Sequence, residues 1–241
     1  MKQALRKLNK ALILLQVPLW RKALKKKVAA TTEHVHIFSH EPFSTLIDVG
    51  ANRGQFSLMA KGLYPEATIF AFEPLAEARN QLEQISSDWS NTQIFPYGIG
   101  DKNVNSIVMN VSQKNDSSSI LEFGMIESMF ESAKFSHREK VSVKRLDDVI
   151  TSEKLVSPVL MKIDVQGYEK QVIESSENIL AHIDAIYVEA AFVEMYKGQA
   201  LFDEIYAMLL NKGFYLKRIG HVSGGHGEPG TYGDFLFSRK K

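Results

Sequence analysis

Residues 44–241 are predicted to fold as a doubly wound α/β sheet, preceded over residues 1–43 by a basic helical extension. Three observations carry the expectation. From residue 44 onward, short and nearly continuous apolar runs alternate with stretches of helical period, the pattern of parallel strands covered by helices on both faces. Several of these runs end in glycine or an acid, and ligands of such sheets bind beyond the carboxyl ends of the strands. No internal repeat, low-complexity tract or long Pro/Gly/Ser linker divides the segment.

In chain order, Ser44–Val49 (STLIDV) is a buried strand, and Gly54–Leu63 is a helix with Phe56, Met59 and Leu63 on one face. Ala67–Phe72 (ATIFAF) is a second buried strand. Pro74 fits a first-turn proline, and Leu75–Ile85 follows as a helix. Thr92–Tyr97 and Val104–Val111 are strands. A polar stretch, Ser112–Ser119, leads into a segment of no clear period up to about His137, and Val141–Arg145 alternates like an exposed edge strand. Val159–Asp164 (VLMKID) is strand-like, Gly167–Leu180 helical, Ala185–Glu189 (AIYVE) a strand and Leu201–Leu210 helical. Phe214–Arg218 and Tyr232–Phe237 close the sheet. Between them, His221–Gly233 holds five glycines in 13 residues and reads as a mobile loop, a candidate lid.

Charge is distributed unevenly. Residues 1–27 carry nine basic groups and no acid, whereas the remainder holds 20 basic and 28 acidic residues. A net-acidic body argues against nucleic-acid binding, which needs a basic face toward phosphates. With no Cys, the chain has no disulfide, thiolate metal site or Cys nucleophile, and a cytoplasmic setting fits. Leu5, Leu8, Leu12, Leu15 and Leu19 recur at helical spacing, giving an amphipathic helix up to Pro18. The apolar stretch Ala11–Trp20 is too short to span a bilayer, which takes about 20 apolar residues. The extension therefore either packs on the domain with its lysines in water, or places residues 1–27 in peripheral contact with an anionic inner-membrane surface.

Three features converge at the strand ends. In Asp48-Val49-Gly50-Ala51-Asn52-Arg53-Gly54-Gln55-Phe56, Gly50 can take positive φ and admit a ligand close to the chain, and the following helix start offers free N–H groups. The Gly-x-x-x-Gly spacing departs from the dinucleotide Gly-x-Gly-x-x-Gly, which argues against a nicotinamide oxidoreductase. Glu73, 25 residues after Asp48 at the end of the second strand, is placed to accept hydrogen bonds from ribose hydroxyls. Gly98-Ile99-Gly100-Asp101, after the third, could edge an adenine, with Asp101 accepting from its amino group; a plain turn explains it almost as well.

Together with LIDVGANRGQF at 46–56, FAFEPL at 70–75 and GIGD at 98–101, the blocks VSVKRLDD at 141–148, VLMKIDVQGYEKQVIE at 159–174, YVEAAFVEMYKGQALFDEI at 187–205 and GDFLFSR at 233–239 make the sequence resemble the FkbM-type family of S-adenosylmethionine-dependent methyltransferases. The resemblance covers about residues 44–240. It implies a class I methyltransferase fold, a Rossmann-like, mostly parallel seven-stranded sheet whose last strand is antiparallel. It also implies O-methylation of a hydroxyl on a sugar, glycoconjugate or related natural product, with S-adenosylmethionine as cofactor. Carried over by position, the cofactor set is Asp48, Gly50, Ala51, Asn52, Gly54 and Gln55 at the methionine end, Glu73 at the ribose, and Ile99 and Asp101 at the adenine. Many members carry an acid where this chain has Gln166.

Methyl transfer to a hydroxyl needs an in-line acceptor oxygen and removal of its proton. Asp164 and Glu189, at the ends of neighbouring strands, are the candidate base and its partner. The same pair could hold magnesium, but no third ligand is evident, so no metal is expected. Asp164 could alternatively cap the helix at Gly167. His226 and His221 in the glycine-rich loop, and His34 just before the domain, are further candidates; His36, His40, His137 and His182 are expected on surfaces or in structural packing. Ser117–Ser119 could bond a polyol, Phe192, Met195 and Tyr196 could wall the substrate, Tyr187 and Tyr206 are expected to pack on the sheet, and Glu169 to be structural.

Overall fold

The computed structural model describes residues 12–223 and 230–239. Its main sheet has seven strands: β1 (Thr45–Val49), β2 (Thr68–Phe72), β3 (Thr92–Phe95), β7 (Val159–Ile163), β8 (Ala185–Ala191), β9 (Phe214–Val222) and β10 (Tyr232–Arg239). They lie in the order β3-β2-β1-β7-β8-β10-β9. β10 runs antiparallel to both β8 and β9, and the pairs from β3 through β8 are parallel. This is the expected mostly parallel seven-stranded sheet with its last strand reversed.

The apolar runs lack polar alternation because both faces are covered. Ile47, Phe70, Met161 and Val188 face a layer that includes Val172 and Ile173 of α4 (Glu169–Glu174) and Ile205 and Leu209 of α5 (Phe202–Asn211). Their neighbours Leu46, Ile69, Leu160 and Tyr187 face Leu58 and Met59 of α2 (Gln55–Leu63) and Leu82 of α3 (Ala76–Ser86). Successive side chains thus serve opposite cores, as the period of two requires.

The extension docks on this second layer. Residues 12–16 are helical and stop short of Pro18, as expected; Pro18 occupies the first turn of a new helix, α1 (Pro18–Leu24), where a missing N–H costs nothing. Trp20 is buried, its indole N–H donating to the Leu58 carbonyl at 2.9 Å. Gly62 lies beneath the ring, and a Cβ there would overlap it. Burying about 200 Å² of indole is worth about 5 kcal/mol as an upper bound, against at most ~1 kcal/mol for an exposed pair such as Lys22–Asp88. Trp20, not the lysines, anchors the extension. Among the described residues, no helix is long and apolar enough to cross a membrane. Leu5 and Leu8 lie outside the described residues.

Four readings are corrected. The segment expected as an edge strand at 141–145 is the end of a longer β6 (Phe135–Lys144), which sits between β4 (Gly98–Ile99) and β5 (Val104–Ser112) as the central strand of a second sheet. The helix expected to reach Leu180 stops at Glu174, because Ser175 and Ser176 turn their hydroxyls back onto the Val172 and Ile173 carbonyls. Pro74 precedes α3 rather than opening it, with Leu75 as the N-cap. β9 runs on to Val222, so His221 belongs to a strand; residues 224–229 of the expected lid, His226 among them, lie outside the described residues.

Candidate active site

The chain runs from β1 outward to β2 and β3, then returns to build β7 and β8 on the other side of β1. The order therefore reverses between β1 and β7, where an α/β sheet opens a crevice at its carboxyl end. A cleft open to solvent lies there. It is lined by Gly50 after β1, Glu73 after β2, Asp164 after β7, Glu189 of β8 and Asp234 of β10, the tips of five adjacent strands. At about 4.8 Å per strand the floor spans about 19 Å.

At the β1 tip, Gly50 takes φ +79°, and a Cβ would overlap the Asp164 carbonyl oxygen. Only glycine lets the loops after β1 and β7 meet this closely. Asn52 also has positive φ, at +48°. Gly50, Ala51, Asn52 and Gln55 all line the cleft. Gly54 does not; its φ of +84° starts α2, and a Cβ would strike Leu82 of α3, so its role is helix packing. Asp48 also lies beneath the lining rather than in it. It is fully buried, accepts a hydrogen bond from Ser57 at 2.6 Å, and faces Lys162, its register partner on β7.

Glu73 is buried, and its two oxygens accept the N–H groups of Asn52 and Leu75, each at 2.8 Å. A carboxylate offers about four lone-pair sites, so two remain for a ligand in the cleft. Burial pushes its carboxyl up to about 7, against the lowering pull of those two N–H groups. Leu75, Ile99, Met109 and Ile120 form an apolar slot beside it. Asp101 stands outside the lining; the Tyr168 hydroxyl donates to its carboxylate at 3.4 Å, and Arg145 to its carbonyl.

At the other end, Asp164 and Glu189 come together as expected, but through a third residue. The Gln166 amide nitrogen donates to Asp164 Oδ1 at 2.8 Å and to Glu189 Oε1 at 3.0 Å. Asp164 does not cap the helix, whose start has no side-chain cap; Glu169, its first residue, instead accepts the N–H groups of Val165 and Gly167 in the preceding turn. Burial first, then the charges of Asp164, Asp234 and Glu169, hold the Glu189 carboxyl well above the usual range. Burial, followed by Asp164, pushes Asp234 up to about 7. Asp234 sits directly across from Glu189 in the antiparallel register.

Lys162 is the group that sequence reasoning missed most completely. Its buried ammonium donates to the Gly50 carbonyl at 2.8 Å and lies 3.4 Å from both Asp48 Oδ1 and Asp164 Oδ2. Burial alone would lower its proton affinity; the charges of Asp164 and Asp48 together outweigh that effect and raise it. From the extension, Thr31 and His34 complete the wall. His34 Nδ1 shares a hydrogen bond of 2.9 Å with the Tyr187 hydroxyl, so Tyr187 serves the cleft as well as the core; burial lowers the imidazole to about 4, leaving it neutral near pH 7. Ser118, with Asn115 and Asp116, lines the cleft, whereas Phe192, Met195 and Tyr196 do not. The imidazoles of His36, His40, His137, His182 and His221 are exposed, away from the lining.

Glu169 gives the site a measurable pH signature. Burial raises its carboxyl from 4.5 to about 7, so its contribution to stability is complete below pH 4.5 and is lost as pH rises toward 7. Such a shift corresponds to ~3 kcal/mol. Glu169→Gln keeps an acceptor for the two N–H groups and is expected to narrow the gap in urea-unfolding free energy between pH 5 and pH 8 by ~2–3 kcal/mol; an unchanged gap would show that Glu169 does not titrate in this range.

A family model described as the methyltransferase FkbM domain matches residues 48–216. Among curated relatives, the 2-O-methyltransferase NoeI of Sinorhizobium fredii is 26% identical over 187 residues, covering 73% of this chain and 76% of that protein. Methyltransferase 1 of Beauveria bassiana is 27% identical over 186 residues, covering 71% and 72%. Among solved structures, an rRNA methylase from Streptococcus thermophilus aligns with a TM-score of 0.48 at 13% identity, over 86% of this chain and 94% of that one.

Proposed function

Since the chain belongs to the FkbM methyltransferase family, we propose that this methyltransferase lays S-adenosylmethionine across the β2, β1 and β7 tips and methylates a hydroxyl of an uncharged sugar, glycoconjugate or related natural product. One observation carries the reading: four acids of the cleft stand at strand tips, Glu73 on one side of the Gly50 turn and Asp164, Glu189 and Asp234 on the other. Glu73, with two lone-pair sites free beside an apolar slot, suits a ribose and its base. The bare Gly50 turn suits the close approach of the amino-acid end.

The cofactor, when bound, supplies a methyl group already activated on a sulfonium. The chain's task is to hold the acceptor oxygen in line and take its proton. Glu189, whose environment raises its proton affinity, accepts the acceptor's O–H proton as the oxygen–carbon bond forms and the carbon–sulfur bond breaks toward sulfur. Asp164, held by Lys162 and Gln166, orients the hydroxyl. Among the described residues the lining has five carboxylates and a single lysine, already engaged, and this supports a neutral acceptor over a phosphate or carboxylate. Peripheral contact of residues 1–27 with an anionic membrane belongs to the same proposal, supported by that acid-free basic run and by Leu12 and Leu15, both half exposed.

Calorimetry with S-adenosylhomocysteine, followed by methyl-labelled S-adenosylmethionine and a panel of neutral sugars, tests the reading. An alkali-stable methyl ether by mass spectrometry is expected. A label found only in an amine or an ester would replace the acceptor class, and no nucleoside binding would remove the cofactor.

A further inference from the structure

Gln166 stands in a left-handed backbone conformation at φ +56°, uncommon for a side chain of its size. Two contacts hold it there. Its backbone carbonyl accepts the Ser119 hydroxyl at 2.6 Å, and its side-chain oxygen accepts the buried Tyr196 hydroxyl at 2.7 Å. The Tyr196 bond fixes which way the amide faces, so both N–H groups point away from it, one to Asp164 and one to Glu189. Two of the three side-chain bonds thus join the carboxylates of the cleft end, and the third ties the amide to the buried Tyr196.

We propose that Gln166 is a positioning residue that yokes Asp164 and Glu189, with Tyr196 as its backstop, so that the two carboxylates share one neutral donor and Glu189 keeps its second oxygen for the acceptor hydroxyl. The proposal rests on the reading of Glu189 as proton acceptor. Two like charges this close ordinarily force one to bind a proton. A neutral double donor lowers that tendency without adding charge, whereas an acid at the same place would add a third carboxylate. The charged and titratable groups around Glu189 are Asp164 after β7, Asp234 and Tyr232 on β10, Glu169 on α4, Tyr187 on β8 and Tyr196; Lys162 lies beyond Asp164. Among the described residues, Gln166 alone donates to both members of the pair through one group.

The test is a carboxyl-carbon NMR titration of the full chain, with signals assigned from Glu189→Gln and Asp164→Asn. In Gln166→Glu, the Glu189 midpoint is expected to rise by about a pH unit or more, roughly a tenfold gain in proton affinity. Tyr196→Phe, which frees the amide to turn, should move it the same way by less. A Glu189 midpoint unmoved in folded Gln166→Glu overturns the yoke; should that variant not fold, Tyr196→Phe decides alone by the same criterion. If the wild type binds no S-adenosylhomocysteine, the methyl-transfer reading falls, and the titration still judges the yoke.

Discussion

Glu73→Ala is expected to weaken S-adenosylhomocysteine binding by about 10²–10³-fold. Two ribose hydroxyls donating to one carboxylate are charge-assisted bonds, each worth ~1.5–3 kcal/mol, and the sum after partial compensation by water is ~3–4 kcal/mol. The variant also leaves the Asn52 and Leu75 N–H groups without their acceptor, which loosens the turn that forms the rest of the seat. Glu73→Gln separates the two effects. It retains one acceptor oxygen and the side chain's volume, and should cost only about tenfold in affinity. A pH dependence accompanies the prediction. Burial raises the Glu73 carboxyl to about 7, and bonds donated by a ligand favour its ionised form, so affinity should tighten between pH 6 and pH 8 and release a proton on binding. Calorimetry in two buffers of different ionisation enthalpy reads the proton. If Glu73→Ala binds like the wild type, the ribose does not rest on Glu73.

The Glu73 end of the cleft is legible because its signals are local. Glycine after a strand, an acid after the next strand and a helix beginning between them are features of single segments, and they place Gly50, Ala51, Asn52, Gln55, Glu73 and Ile99 in the cleft. The acidic end was only half legible because its pairs are made by register. Asp48 faces Lys162, and Glu189 faces Asp234, across strands far apart in the sequence. Nothing in VLMKI says that the lysine points inward; a polar residue near the end of an apolar strand is as readily a strand tip in water. Its partner Asp48 is expected in the lining by the family resemblance, and lies beneath it. The charge is inside because a second charge meets it there, a tertiary fact. β6 was misplaced by a different cause. Its first residues, Phe135–Lys140, are mostly exposed, so the apolar alternation that marks a strand appears only near its end.

Lys162→Met tests whether that inward lysine holds the site together. The ammonium is the counter-charge of Asp48, a fully buried carboxylate whose Oδ1 has no hydrogen-bond partner. Desolvation makes such a pair a poor source of net stability, but removing one member strands the other. The expected loss is ~3–5 kcal/mol, or a Tm lower by roughly 10 °C for a domain of this size. Met fills most of the volume, so a cavity contributes little and the charge dominates the effect. The loss should be largely recovered when Asp48→Asn is combined with Lys162→Met, because a neutral amide can remain buried at far lower cost, and the coupling read from that cycle should exceed about 1 kcal/mol. A single variant that loses under about 1 kcal/mol in urea unfolding would mean that the buried Asp48 does not depend on the lysine. The same lysine substitution also frees the Gly50 carbonyl and one oxygen of Asp164. Affinity for S-adenosylhomocysteine should therefore fall in the single variant and not return in the double one, since Asp48→Asn removes the stranded buried charge without restoring the tie between the β1 turn and the β7 tip.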